Sequence, residues 1–266
     1  MKKTMISLAL AAMMIFAAPA ALAQEAGGKV TVIHGIPGLT VDVFVNGDLT
    51  LPGFAPGDVA GPLDLPAGDY ELAIAPEGAG IGAAVLTGTA TVTDGLNASI
   101  IANLDADGNP TISIFVNDTA PIAAGNGRLV VRHLAAAPVV DILLADGTEL
   151  FTSVANGAEG KLDVPAGAYD VEIAPAGAGV DGSVFSAPGV EITEGSMRIV
   201  YATGDFAGGT FGLVIQDIDG LQTPPTGVPT GDGPISTGSS LWVIMMLGAA
   251  VLALAVSAPV ALRRNR

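Results

Sequence analysis

Apolar and polar residues alternate along much of this chain with a period of two. From Tyr70 to Ala75, the side chains of Tyr70, Leu72 and Ile74 share one face while Glu71 lies on the other; Tyr169, Val171 and Ile173 repeat this against Asp170 and Glu172. Successive side chains of a strand point to opposite sides, so the alternation predicts strands with one buried face. In the first half, further strands are predicted over 30–33, 41–45, 84–92, 98–104 and 111–116. Asn46-Gly47, Pro66-Ala67-Gly68, Asp94-Gly95 and Asp107-Gly108 divide them as turn signals.

The pattern occurs twice, at an offset of about 100 residues. His34, Asp42 and Tyr70 fall on His133, Asp141 and Tyr169. The stretch from Leu65 to Gly80 falls on Val164 to Gly179, and Phe115–Asp118 on Val214–Asp217. Two all-β domains are therefore expected, residues 28–119 and 127–219. Short strands with turn signals every 8 to 12 residues or so indicate a sandwich or a barrel. The Pro-Ala-Gly-x-Tyr step ahead of an alternating strand resembles a tyrosine corner, in which the ring's hydroxyl returns to the chain upstream, and this favours two tandem immunoglobulin-like β-sandwich domains.

Two longer apolar runs break the period. Residues 1–23 have the parts of a signal peptide: Lys2 and Lys3, an apolar stretch to Phe16, and Ala21-Leu22-Ala23 before Gln24. Residues 241–262 carry no charge and are expected to form a C-terminal transmembrane helix, which at about 1.5 Å per residue reaches roughly 33 Å, enough for a hydrocarbon core of about 30 Å. The basic tail 263–266 then marks the cytoplasmic side, with Trp242 at the outer boundary. Residues 220–240, rich in Pro and Gly, read as a stalk without apolar groups enough to offset ordering. The expected location is the cell membrane, single-pass, with the bulk of the chain extracytoplasmic and its C-terminus cytoplasmic.

The arrangement His34-(x)2-Pro37-(x)3-Val41-Asp42-Val43, followed by Leu65-Pro-Ala-Gly-x-Tyr-x-Leu-x-Ile-x-Pro76-x-Gly-Ala-Gly80, resembles the DUF4397 family of exported bacterial and archaeal domains. Both copies carry the resemblance, over nearly all of residues 29 to 218; the second departs at His133-Leu-Ala-Ala-Ala-Pro138, where the proline falls later. The resemblance implies an exterior β-sandwich of unassigned function, with no catalytic residues to carry over.

Charge narrows the choice of partner. All 26 Asp and Glu fall between residues 24 and 240, together with five of the ten Lys and Arg: Lys29, Arg128, Arg132, Lys161 and Arg198. An exterior so acidic repels nucleic acid, and no basic patch offsets it. With no cysteine in the chain, thiol chemistry and Cys-based metal sites are excluded.

Each candidate for chemistry has a plain structural reading beside it. His34 and His133 share the parity of their buried neighbours, so both are expected to point inward at a strand end as hydrogen-bonded residues, with a metal or ligand contact as the alternative. Asp42 and Asp141 alternate away from buried valines and are expected as surface or turn partners. Asp105, Asp107 and Asn109 begin like an oxygen-ligand loop for calcium, with Asp217 and Asp219 near the matching end of the second copy. Pro110 and Val116, however, stand where an EF-hand needs Gly and Glu. Asn97-Ala-Ser99 and Asn117-Asp-Thr119 fit the glycosylation acceptor pattern. Gly-x-Ser-x-Gly is absent. The expected function is a non-catalytic surface or envelope protein, with no cofactor, that binds an envelope protein or glycan or serves as a structural spacer; the alternatives are an envelope-polymer hydrolase and a calcium-dependent adhesion module.

Overall fold

The structure, a computed structural model, describes residues 27–223. The expected signal peptide, transmembrane helix and basic tail lie outside the described residues, as does the expected stalk beyond Thr223. Among the described residues no helix is long and apolar enough to cross a membrane.

Eight strands form the first copy: β1 (Gly27–His34), β2 (Val41–Val45), β3 (Asp48–Phe54), β4 (Val59–Pro66), β5 (Gly68–Pro76), β6 (Leu86–Val92), β7 (Asn97–Leu104) and β8 (Pro110–Val116). Eight more form the second: β9 (Asn126–His133), β10 (Val140–Leu144), β11 (Glu149–Val154), β12 (Glu159–Pro165), β13 (Gly167–Pro175), β14 (Phe185–Ile192), β15 (Met197–Thr203) and β16 (Gly212–Ile218). They make four sheets of four strands, ordered β4-β1-β7-β8 and β3-β2-β5-β6 in the first copy, β12-β9-β15-β16 and β11-β10-β13-β14 in the second. The all-β class expected from the alternation is what is found.

Strands β3 and β4 are absent from the strands predicted in the first copy. Both carry proline and glycine, in Asp48-Leu-Thr-Leu-Pro-Gly-Phe54 and Val59-Ala-Gly-Pro-Leu-Asp-Leu-Pro66, which reads as loop. Both lie at sheet edges, where a missing ladder donor is tolerated because that side of the strand has no partner.

The strand order also departs from the immunoglobulin order expected. In that fold the first and second strands share a sheet; here β1 and β2 lie in opposite sheets, β4 pairs with β1, and β1 runs parallel to β7. The tyrosine corner itself is present. The Tyr70 hydroxyl donates to the Pro66 carbonyl at 2.8 Å and the Tyr169 hydroxyl to Pro165 at 2.7 Å. It marks the step from β4 to β5, where the chain passes from one sheet to the other, so it locates a corner without fixing the order of the strands around it.

Each copy packs two sheets face to face. Val30 and Ile100 of one sheet meet Leu72, Ala90 and Val92 of the other in the first copy, and Leu129, Val131 and Val200 meet Val140, Ile142 and Ile173 in the second. A third core lies between the copies. Ile33 and Ile101 of β1 and β7 pack with Val130, Met197, Ile199 and Tyr201 of β9 and β15, so the two central sheets are buried on both faces and the body is four layers deep. Strands covered on both sides lose their alternation and read as continuous apolar runs, as Ile100-Ile101-Ala102, Leu129-Val130-Val131 and Ile199-Val200-Tyr201-Ala202 do.

The connection between copies is tied down as well. Ile122 donates its amide to the Leu221 carbonyl at 2.6 Å and accepts from Thr223 at 3.0 Å, in a parallel bridge with Gln222. The folded body therefore runs through Thr223, although the stalk was expected to begin at 220. A second correction concerns the repeat's alignment. Phe115 sits opposite Ser99, and the residue in the same place of the second copy, opposite Ile199, is Gln216. Val214, its expected match, lies two residues away, because one residue is gained ahead of β15 and another in the β15–β16 connection.

Candidate functional site

The three repeated residue types hold the same loops in both copies. His34 and His133 end β1 and β9, each only 1% exposed. Nε2 of His34 lies 2.7 Å from the Leu39 carbonyl, and Nε2 of His133 lies 3.0 Å from that of Pro138. A carbonyl only accepts, so Nε2 carries the hydrogen and Nδ1 keeps a lone pair, which is buried without a partner in both rings. Burial pushes both imidazoles below their ordinary range, against the smaller opposing pull of the carbonyls they bond. Each ring is thus a neutral staple on the loop after its strand.

Asp42 and Asp141 are buried, not at the surface, and they serve as turn partners. The Asp42 carboxylate accepts from the Gly53 amide at 2.9 Å and the Gly78 amide at 2.8 Å; Asp141 accepts from Ser153 and Gly177, each at 2.7 Å. The Gly177 and Ser153 amides hold the Asp141 carboxyl below the usual carboxylate range. Together the histidine and the aspartate fix one end of each sandwich, where the β1–β2 loop meets the turn after β5 through a Thr40–Glu77 backbone bond, repeated at Val139–Ala176. These ends expose apolar side chains: Leu39, Ile81 and Val85 in the first copy, Val139 and Val184 in the second.

The calcium candidates do not come together. Asp105 accepts from the amides of Asp107 and Asn109 at 2.9 and 2.8 Å, closing an ordinary turn on itself. Asp217 pairs with Arg198 through two bonds of 2.8 Å, and Asp219 is exposed beyond β16. Among the described residues no three His, Cys, Asp or Glu side chains gather as a metal site would require. Asn117, one of the two glycosylation candidates, is buried between the copies and accepts from Arg132 at 2.8 Å.

That buried contact is part of a network that the sequence reading missed. Arg132, 1% exposed, donates to Glu159 at 2.7 Å, to the Tyr201 hydroxyl at 2.9 Å and to Asn117, and its guanidinium lies 4.4 Å from the centre of the Phe115 ring. Tyr201 in turn donates to Gln216, which also accepts from Ser99 and donates to Thr31. The available signal was a pair of arginines, Arg128 and Arg132, in phase on one face of β9 around Val130.

The copies differ most inside. Between the sheets of the first lies a cavity of about 290 Å³, walled by Val30, Val43, Leu72, Ala90, Ile100 and Ile112 and reached by His34. The corresponding interior of the second copy holds about 20 Å³. Strand pairing shows why: opposite Leu72, Tyr70 and Ile74 stand Gly88, Ala90 and Leu86, and at the same places of the second copy stand Ala187, Val190 and Phe185. Phe151 occupies the place of Leu51, opposite Ile142 as Leu51 is opposite Val43. Its ring lies so close to Gly160 on β12 that a Cβ there would fall 2.5 Å from it. The polar lining of the cavity, Asn46, Asp48 and Thr50, is exposed at the tight Asn46-Gly47 hairpin, and this is its mouth. Both turn residues take positive φ there, as a two-residue hairpin of this type demands.

Paired four-stranded sheets, with their repeated polar residues tied into loops and corners, define the class: an all-β sandwich protein. Residues 28–143 match the family model "Domain of unknown function (DUF4397)", as the sequence motifs had led us to expect. The match covers the first copy and reaches into β10 of the second. No curated protein matches the chain. Two solved structures are similar to it, both of proposed cell adhesion proteins. The one from Bacteroides ovatus ATCC 8483 is 12% identical, with 75% of this chain and 100% of that one covered and a TM-score of 0.23. The one from Bacteroides fragilis NCTC 9343 is 12% identical, covering 70% and 86%, with a TM-score of 0.17. Likenesses this distant carry no argument about role.

Proposed function

We propose that this is a membrane-anchored, extracytoplasmic, non-catalytic protein whose paired sandwiches form one stiff acidic body presenting loop ends to an envelope protein or glycan. The observation that carries the reading is the pair of equivalent ends. The repeated histidines, through Nε2, and the aspartates fix loops, and the fixed loops display apolar side chains at Leu39, Ile81 and Val85 and again at Val139 and Val184. Exposed apolar groups on rigid loops are a common means of recognition. Charge restricts the partner. Each of the five described Lys and Arg side chains is paired with an acid, so the free charge of the exterior is negative and favours an uncharged or cationic surface.

The test is capture in the organism's own cells. A photo-crosslinking residue placed at position 39 or 139 of the full chain is expected to trap a discrete envelope component that Leu39→Ser and Val139→Ser release. Protease added outside the cells is expected to reach the sandwiches and to leave the C-terminal tail intact. A tail cut from outside, or crosslinks confined to this chain, would count against the reading.

A further inference from the structure

We infer that the cavity of the first sandwich is a binding site for a small uncharged apolar molecule of about twelve non-hydrogen atoms. Protein interiors hold few voids larger than a water molecule, and a void of about 290 Å³ is costly to keep because its lining has no atoms to pack against. The same fold demonstrably closes: the second copy, with the same strand order, retains about 20 Å³. The hollow therefore follows from side-chain choice, above all from the lining residues Leu51 and Ala90 where the second copy has Phe151 and Val190, and not from the architecture.

Volume and lining set the ligand class. An apolar cavity of about 150 Å³ stays dry and takes benzene, so about twice that volume takes about twice as many atoms. The walls are aliphatic with Phe54 and Tyr70, and the one buried polar ring among them is His34. At the mouth stand Asn46, Asp48 and Thr50. A ligand with a polar end would rest that end among them, and the Asp48 carboxylate there favours a hydroxyl over a carboxylate. A medium-chain alcohol fits; a fatty acid of the same length meets repulsion.

Isoleucine methyl NMR of the full chain in lipid nanodiscs, titrated with 1-decanol and separately with decanoate, tests this with an internal control. The methyls of Ile74, Ile100 and Ile112 line the cavity, and those of Ile142 and Ile173 occupy the filled copy. With decanol the first three are expected to shift saturably and the last two to stay, and decanoate is expected to bind at least tenfold more weakly. The paired substitution Leu51→Phe with Ala90→Val, which supplies the second copy's side chains, is expected to abolish the shifts while the Ile142 and Ile173 signals stay in place. Should the pair not fold, Ala90→Val alone is expected to weaken the response. No shift up to the solubility limit of decanol, equal shifts in both copies, or an undiminished response in the filled variant overturns the site; decanoate binding as tightly as decanol overturns the neutral ligand. The readout is independent of any partner at the loop ends.

Discussion

The two sandwiches share a strand order, a histidine staple, an aspartate tie and a tyrosine corner, yet one is hollow and the other filled. The shared His, Asp and Tyr residues tie loops and corners, and the side chains that separate hollow from filled lie on the faces of the strands. The repeated polar residues therefore specify the course of the chain, and the apolar ones decide what the interior holds. The outward faces differ just as sharply. Where the first copy turns Ile33 and Ile101 toward its neighbour, the same places of the second hold Arg132 and Tyr201. The first face supplies neutral partners, Thr31, Ser99 and Asn117, and the second brings the buried charge of Arg132 that such partners help to satisfy.

The largest effect is expected from breaking that second face. In Arg132→Ala, Tyr201 and Asn117 each lose a buried bond and Glu159 loses its partner; the Glu159 side chain is 29% exposed, so its share of the loss is expected toward the lower end of the roughly 3–5 kcal/mol that breaking a buried ion pair costs. Chemical unfolding followed by circular dichroism checks this, and a loss below about 1 kcal/mol would place the pair in effective contact with solvent. Next in size is a matched pair at one position. Ile74 and Ile173 are equivalent, 6% and 4% exposed, but only Ile74 borders the cavity. Truncation of a packed isoleucine to alanine costs about 2–5 kcal/mol, more where the surroundings are full. Ile173→Ala is expected near the top of that range and Ile74→Ala near the bottom. Equal losses in the same unfolding measurement would mean that the cavity is filled in solution.

Much of the fold could be read from the sequence. Alternation located β5, the turn signals bracketed β2 and β7, and the repeat located the counterpart of β5, because a half-buried strand in one place leaves the same period in the other. Proline and glycine hid β3 and β4, since edge strands accept residues that a central strand would not. The contact between the copies was missed because it appears as a loss of alternation, in Ile100-Ile101-Ala102 and Leu129-Val130-Val131, and a search for period two passes over such runs. The histidines and aspartates were visible as repeated residues, but their task was not, since a bond from Asp42 to the amide of Gly78 depends on a turn that folds back 36 residues later. The cavity was least visible of all. Each residue around it is an ordinary core residue, and only alignment against the filled copy shows that several are one size too small.

Filling the hollow is expected to have a smaller effect of opposite sign. Ala90→Val places in the first copy the side chain that Val190 supplies in the second, opposite Tyr70 as Val190 is opposite Tyr169. Cavity-filling changes commonly add about 0.5–2 kcal/mol. The gain should appear as a higher denaturant midpoint with an unchanged slope. The reverse change, Val190→Ala, should destabilise the filled copy by more than the forward change stabilises the hollow one, because a packed neighbourhood cannot collapse onto the gap.

The smallest expected effect bears on what the copies share. Both histidines are neutral when folded, and burial holds both below their ordinary range, whereas the unfolded chain takes up protons near pH 6.5 or so. Above that pH neither state is charged at these positions and the pair contributes no pH dependence. As pH falls below it, the unfolded chain binds more protons than the folded one, so stability declines until the buried rings also titrate. The carboxylates held low by hydrogen bonds, Asp141 and Asp118 among them, lose their contribution only nearer pH 4, which leaves a window that belongs to the histidines. His34→Gln with His133→Gln keeps a side-chain donor for the two loop carbonyls and removes the titration. The double variant should therefore show a flat stability profile from about pH 6.5 to 5, with each single variant halfway between it and the parent. Unequal halves would show that the cavity beside His34 admits enough water to ease the charging of that ring, which the closed interior around His133 does not.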